Sequence, residues 1–452
     1  MKAIWTWIDG WMRTRISRFV RGEPKRLLAF GYLFYILAGT GLLALPYARA
    51  STHGGWLDWL FTATSAVSTT GLVTLSTGHD YTFFGQLVII GLIQMGGLGY
   101  MTFGSFVLLA ASRRIDQWRE RTQRLSLNLP EELDVAATVR LVVAYTLCVE
   151  LVGAGLLWWL FASAGVEQPL WSAVFHSISA FCTAGFSLYD DSLTQFAANP
   201  GVHVVISTLS ILGAMGFLIV NDFWRSLRRR KVGLTLTSRI ILASTACLIG
   251  VCWLLLLFEE PLTAPSSGLT AWLNAFFQVM TASTTVGFNT LPIEQLSSAS
   301  TLLLIVLMLV GASPVGTGGG MKTTTVTALW AIMVSVLKGR PEPTFAGKAI
   351  PEVRRRLAVA TSLFYMLLLG LGIYLLAAFQ PQPLVDIAFE CASALGTVGL
   401  SRGLTGQLGD AGKLIVTALM FFGRVGPLLF AGALLGSAVA RAKTAPEEDV
   451  VV

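Results

Sequence analysis

The sequence predicts an all-α integral membrane protein assembled from four degenerate copies of one helical unit. Three observations predict it: the scarcity of charge, the alternation of basic and acidic connections, and a twelve-residue segment that recurs four times. Only 13% of the 452 residues are charged, 54% are hydrophobic, and the mean hydropathy is +0.68. A water-soluble domain carries about 25% charged residues. Lipid is therefore the expected solvent. Apolar runs occupy Leu27–Leu45, Leu87–Ala110, Val139–Phe161, Val202–Phe223, Ile240–Phe258, Leu302–Val310, Leu357–Ala378 and Leu414–Leu435. Most are near the roughly 20 residues that a helix needs to cross the hydrocarbon core. Leu302–Val310 is too short and needs its own account.

The charges set the orientation. The formal charge is +7, but 27 of the 32 Lys and Arg fall in five groups: Lys2–Arg26, Arg113–Arg140, Arg225–Arg239, Lys338–Arg356 and Arg441–Lys443. The alternate connections carry acids instead: Asp58, Asp80, Glu167, Asp190, Asp191, Glu259, Glu260, Glu294, Asp386, Glu390 and Asp410. This is the positive-inside pattern. It puts both termini and three loops in the cytoplasm and leaves an acidic outer face that concentrates cations. It speaks against nucleic-acid binding. The first 26 residues are basic and aromatic and lack the apolar stretch and cleavage site of a signal peptide. Five scattered cysteines and four unclustered histidines give neither a disulfide framework nor a metal site. No Ser/His/Asp constellation and no paired acids within the spans suggest an enzyme.

The basic groups divide the chain into four units, residues 1–110, 111–230, 231–340 and 341–452. Between the crossings of each unit lies the repeated segment: Phe61–Leu72, Phe175–Phe186, Phe277–Phe288 and Phe389–Leu400. All four read Phe, three residues, Ser or Thr, Ala, two residues, Thr, one residue, Gly, then Leu or Phe. Every unit has the same topology, so the symmetry axis runs along the membrane normal. On the returning runs, Gly96–Gly99, Gly213–Gly216 and Gly423–Gly426 repeat a pair of glycines three apart. Small residues of this kind let helices approach closely in lipid.

Each segment begins with a stretch too short to span, such as Leu57–Thr69 or Leu273–Thr284. A half-helix that stops at mid-membrane must continue as irregular backbone, which is tolerated at depth only where it lines a watery cavity or is buried in protein. Glycine there adopts positive φ without steric cost. Four such segments around one axis give rings of carbonyl oxygens that replace a cation's hydration shell. The negative ends of the half-helices favour the same charge. The candidate ion-binding residues are Thr69, Thr70, Gly71; Thr183, Ala184, Gly185; Thr285, Val286, Gly287; and Thr397, Val398, Gly399. The architecture is thus four helix–pore-loop–helix (M1-P-M2) repeats with pseudo-fourfold symmetry around one pore. Isolated re-entrant packing hairpins would not need the same glycine four times.

The third returning helix is broken. Leu302–Gly311 spans roughly 15 Å of helix, about half the hydrocarbon core. Pro314 and the glycines of Ala312–Lys322 then oppose continuous helix. The run superficially resembles a phosphate-binding loop but lacks the glycine before its lysine and a preceding strand. Arg424 lies 25 residues after Gly399, as Ala312 does after Gly287. Arginine and loop therefore share a depth below the glycine ring, where a charge is costly and functional by default. The candidate gate comprises Gly316, Gly318, Gly319, Gly320, Lys322 and Arg424. Lys322 either helps hold the loop closed or is solvated in the inner vestibule. An ion pair of Arg424 with Glu150 or Asp222 is the structural alternative.

On these residues the chain resembles the Trk/Ktr/HKT superfamily of potassium transporters, over about residues 27–440. In that family the filter glycine of each repeat governs potassium preference. The four glycines Gly71, Gly185, Gly287 and Gly399 thus imply potassium as substrate. With only 26 residues before the first span, the chain looks most like the bacterial Ktr-type membrane subunits. The filter has no tyrosine and is less regular than that of a potassium channel. The resemblance implies a bacterial cytoplasmic (inner) membrane location and no bound cofactor. It also implies a homodimer with one pore per protomer and a cytoplasmic ring of nucleotide-binding, RCK-type regulatory subunits. Sodium as a coupling or activating ion stays open. So do a Trk-type proton-linked or channel-like mode and a secondary transporter of another small cation. No fused regulatory domain is expected in the short tail after Arg441.

Overall fold

The computed structural model describes residues 24–99, 135–216, 234–261, 268–314, 316–345 and 347–426, with isolated positions 219, 222, 223 and 226. Most of the basic groups lie outside these residues, including positions 2–23, 113–124, 225, 228–231 and the tail. Thirteen α-helices are described. In chain order they are α1 (Pro24–Leu43), α2 (Trp56–Ser68), α3 (Phe83–Leu98), α4 (Val135–Ser163), α5 (Pro169–Phe181), α6 (Pro200–Met215) and α7 (Leu236–Glu259). They continue as α8 (Leu269–Thr284), α9 (Ser298–Leu309), α10 (Thr323–Leu337), α11 (Glu352–Phe379), α12 (Leu384–Gly396) and α13 (Asp410–Val425). A two-stranded hairpin, Thr344–Phe345 with Lys348–Ala349, joins α10 to α11.

Among the described residues, three helices contain stretches long and apolar enough to cross a membrane: Leu141–Ser163 in α4, Ser238–Glu259 in α7 and Arg354–Phe379 in α11. Their windows are only 33%, 22% and 17% buried, so most of each surface faces outward. Large apolar side chains cover that surface, among them Leu151, Trp159, Phe258, Leu363 and Leu367. A soluble protein rarely exposes so continuous an apolar belt. Lipid is its natural partner, and the buried residues are correspondingly central.

Local chemistry fixes where the short elements start. Thr82, Asn199 and Ser297 cap α3, α6 and α9 by accepting from the Gly85, Gly201 and Ser300 amides. Pro169 and Pro200 occupy first helical positions, where proline's missing N–H costs nothing. In α2 the Asp58 carboxylate accepts from the Gly55 amide at 2.9 Å.

Three returning helices are interrupted inside their apolar runs. Within Leu87–Ala110, Val202–Phe223 and Leu414–Leu435, α3, α6 and α13 end at Leu98, Met215 and Val425. Each is followed by a glycine of positive φ: Gly99 at 75°, Gly216 at 76° and Gly426 at 87°. With ψ of 137°, 162° and 124° these glycines occupy backbone space that side chains disfavour. Hydropathy cannot report such a stop because glycine barely changes it.

Packing between units is cyclic. α3 lies on α5, α6 on α8, α9 on α12, and α13 on α2. Each returning helix thus covers the short helix of the next unit, and the last covers the first.

Candidate functional site

The four short helices end in one geometry. Thr69, Thr183, Thr285 and Thr397 have φ of 53°, 51°, 59° and 49°. Their amides bond to Ala66, Ala180, Ala282 and Ala394 carbonyls at 3.1 to 3.4 Å. The next amides, of Thr70, Ala184, Val286 and Val398, bond to Ser65, Ser179, Thr281 and Ser393 carbonyls at 2.8 to 3.0 Å. This is a Schellman ending with threonine at the left-handed position that glycine usually takes. A β-branched residue there is a genuine outlier, worth about 1–3 kcal/mol of strain. Among the described residues, Ser192 is the one other non-glycine with positive φ. The strained positions therefore coincide with the repeated motif.

The glycines that follow also have positive φ, 94° at Gly71, 67° at Gly185, 86° at Gly287 and 96° at Gly399. Each abuts a neighbouring unit. A Cβ on Gly71 would lie 2.4 Å from the Ala184 oxygen, and one on Gly185 would lie 2.1 Å from the Val286 oxygen. On Gly287 it would lie 2.0 Å from the Val398 oxygen, and on Gly399 2.2 Å from the Thr70 oxygen. The contacts run from first unit to second, third, fourth and back to the first. Eight of the twelve residues singled out from the sequence, the four glycines with Thr70, Ala184, Val286 and Val398, meet in this contact cycle, and the four threonines immediately precede them.

The segment between α9 and α10 lies directly beneath. Its start and end are joined by a parallel bridge between Val310 and Met321. Ser313 and Thr317 amides donate to the Ala214 and Gly213 carbonyls at 3.2 and 3.0 Å. Thr317 Oγ1 donates to the Phe181 carbonyl at 3.0 Å, and Thr183 Oγ1 donates to Thr317 Oγ1 at 3.2 Å. The Gly319 amide donates to Thr285 Oγ1 at 3.1 Å. A Cβ on Gly319 would lie 1.9 Å from Thr397 Oγ1, and one on Gly318 2.5 Å from Thr285 Oγ1. At Gly316 it would meet the Ala214 oxygen at 2.1 Å, and Gly320 has φ of 69°. Gly318 and Gly319 touch the ring threonines, and Gly316 and Gly320 touch backbone, with no room for side chains.

Two cations hold this loop. Lys322 Nζ donates to the Gly318 carbonyl at 2.7 Å and to the Gly319 carbonyl at 3.5 Å. The Arg424 guanidinium donates from Nη1 to the Thr317 carbonyl and from Nη2 to the Gly96 carbonyl. The loop and the end of α3 are thereby joined through α13. Neither carboxylate of the alternative ion-pair reading is the partner of Arg424. Glu150 accepts from Gln94 Nε2 at 3.1 Å and lies 3.7 Å from Cys182 Sγ. Asp222 accepts from the Thr235 and Ser238 hydroxyls at 2.6 Å.

The first glycine of each returning pair packs where sequence spacing suggested. A Cβ at Gly96, Gly213 or Gly423 would lie 2.0, 1.9 or 2.1 Å from the carbonyl of Val67, Phe181 or Leu395. These three carbonyls occupy the same motif position in their units.

The face where the short helices begin is less acidic than the sequence reading assigned. Glu390 is fully buried behind the ring and accepts from Ser401 Oγ at 2.8 Å and from Thr405 Oγ1. Asp386 pairs with Arg402 at 2.6 Å, and Asp58 pairs with Lys413 at 2.6 Å. Burial alone would raise the Asp58 pKa, but bonds from the Gly55 amide and Lys413 outweigh it and hold the carboxyl below its usual value. Lys413 joins the fourth unit to the first. Arg402 Nη1 also donates to the Ile293 carbonyl and to Thr301 Oγ1, both at 2.9 Å, which ties the fourth unit to the third. The sequence reading missed these clips. Their available signal was that Arg402 and Lys413 stand outside every basic group.

The helical fold and its exposed apolar belt define an integral membrane protein. The TrkH family profile, described as a cation transport protein, matches residues 35–450. The chain belongs to the TrkH family. It is 35% identical over 426 residues to the Ktr system potassium uptake protein B of Bacillus subtilis, covering 92% of this chain and 94% of that protein. It is 34% identical to the potassium/sodium uptake protein NtpJ of Enterococcus hirae, covering 94% and 95%. The crystal structure of the potassium transporter TrkH from Vibrio parahaemolyticus superposes with a TM-score of 0.71 at 21% identity, over 92% of this chain and 86% of that one. The chain is thus a membrane transport protein and not an enzyme.

Proposed function

We propose that this chain is the membrane subunit of a Ktr-type potassium uptake system and that potassium crosses through the ring at Gly71, Gly185, Gly287 and Gly399. The closed contact cycle of the four glycines carries this reading. Four M1-P-M2 units around one axis bring backbone oxygens and the negative helix ends to a single point, which suits a dehydrated cation. The strained threonines support the same role, since stored backbone strain concentrates at functional sites.

Directly below the ring, the loop 312–322 with Lys322 and Arg424 acts as the gate. It occupies the path, Arg424 repels an approaching ion, and Lys322 helps hold the loop closed. Opening requires Arg424 to release Thr317, Gly96 or both. The positive-inside pattern supports a bacterial inner-membrane orientation with both termini cytoplasmic. The relatives' names place them in multi-component Ktr and Trk systems, and the family resemblance extends this to a homodimer docked on an RCK-type ring. Potassium is the substrate. Sodium is the ion to test as coupling or activating partner, given the name of the Enterococcus relative.

The test is uptake of potassium, rubidium and sodium into proteoliposomes, with Gly287→Ser alongside. Any side chain at position 287 meets the Val398 oxygen at 2.0 Å, so the variant is expected to lose potassium preference. Flux indifferent to Gly287, or no cation flux at all, would refute the ring as the path.

A further inference from the structure

In three of the four segments, two side chains of the short helix bond to the chain at or beyond the glycine. At the fifth position, Ser65 Oγ accepts from the Gly71 amide and Ser393 Oγ from the Gly399 amide, both at 3.0 Å. Ser179 Oγ donates to the Phe186 carbonyl at 2.8 Å. The second position carries Thr62, His176, Gln278 or Glu390. Tyr81 donates its hydroxyl to Thr62 Oγ1 at 3.1 Å. His176 Nε2 bonds Ser187 Oγ at 3.0 Å while its Nδ1 bonds the Ser172 carbonyl at 2.7 Å. Glu390 accepts from Ser401 Oγ at 2.8 Å and from Thr405 Oγ1. Ser187 and Ser401 each stand two residues beyond their glycine.

The third unit breaks this pattern at both positions. Gln278 and Thr281 are fully buried. Gln278 Nε2 and Oε1 and Thr281 Oγ1 have no hydrogen-bond partner among the described residues. Asn289, two residues beyond Gly287, donates to the Leu291 carbonyl instead. A buried polar group without a partner is costly, so its occurrence at both of these motif positions in one unit calls for an explanation. The third unit is also the one whose returning helix is broken. Its Thr285 hydroxyl is held from below, by the Gly319 amide of the loop.

We propose that Thr62, His176 and Glu390 are positioning residues that fix the ring in units one, two and four, and that in unit three the loop's Gly319 amide replaces them. The inference rests on the potassium-path reading. Three quarters of the ring are then braced by their own short helices. The remaining quarter lacks such a brace and is held by the loop, which also bonds Thr183 of unit two through Thr317, so loop movement and ion preference are coupled through Thr285.

The experiment is rubidium uptake by full-length protein in proteoliposomes, competed by potassium or by sodium. Glu390→Ala removes a brace, and sodium should then compete about tenfold better relative to potassium. Glu390→Gln keeps an acceptor for the same hydroxyls and should restore most of the preference. Gln278→Met sits at the same motif position but removes only an orphaned amide, so ion preference should persist and the apparent Tm should not fall. If Glu390→Ala does not assemble, Ser401→Ala removes the same brace and should shift competition in the same direction. Wild-type preference in both of those variants, or a loss in Gln278→Met equal to that in Glu390→Ala, would overturn the proposal. Absence of potassium preference in the wild-type protein would instead sink the path reading itself.

Discussion

Replacing Arg424 with alanine should open the path. The guanidinium bonds the loop at Thr317 and α3 at Gly96. A hydrogen bond from a charged donor contributes about 1.5–3 kcal/mol. The Gly96 carbonyl keeps its bond from the Gly99 amide at 3.2 Å, so only the Thr317 bond is counted. Its loss shifts the closed–open balance by about 10- to 150-fold at 1.4 kcal/mol per decade. The cost of placing an ion beside an intramembrane cation disappears as well, so the estimate is a lower bound on the change in flux. Initial rubidium uptake by proteoliposomes of matched protein content measures it. Arg424→Lys separates the two effects, since it retains the charge but not the forked reach. Its flux should fall between those of wild type and alanine. Unchanged flux in a folded Arg424→Ala protein, or flux no higher than in Arg424→Lys, would refute the tether.

Two further outcomes follow from the packing and the charges. Gly213→Ala would place a methyl 1.9 Å from the Phe181 carbonyl and 2.9 Å from Thr317 Oγ1, at an overpacking cost of about 1–3 kcal/mol. Its apparent Tm in detergent should drop, whereas Gly91→Ala, with nothing within 4 Å of the added Cβ, should not lower it. The Asp58 pKa is lowered in the folded protein, so its pair with Lys413 stabilises above the unfolded carboxyl value and is lost as pH falls through the folded one. The Tm of Asp58→Asn should therefore lie below wild type at neutral pH and converge with it in acid. A constant difference across that range would mean that Asp58 acts by packing alone.

The ring was legible because Thr-X-Gly recurs four times at one offset from Phe, and a steric requirement for glycine leaves an unmistakable residue. The broken helix was legible for a similar reason, since Pro314 and the glycines of the loop contradict an apolar span. The contacts of Arg424 were not, because arginine bonds backbone carbonyls here and a carbonyl has no sequence signature. The bracing layer was half visible. A position that reads Thr, His, Gln and Glu in otherwise apolar helices signals a polar task, but the four types share no single partner. Glu390 was misassigned to the surface because loop charge was counted without helix facing. The short helix turns that carboxylate inward, onto Ser401 and Thr405.

The joints between units differ in chemistry as well as in sequence. Ser76 meets Asp190 between the first and second, Ser192 meets Asn289 between the second and third, and Arg402 and Lys413 serve the other two. A ring made of four identical chains would receive every substitution in quadruplicate, and a change that breaks symmetry would be out of its reach. Fusion into one polypeptide removes that constraint. One quadrant can lose its helix continuity and its braces while three keep theirs, so duplication followed by divergence supplies a route from a symmetric conduit to one with a single dedicated moving part.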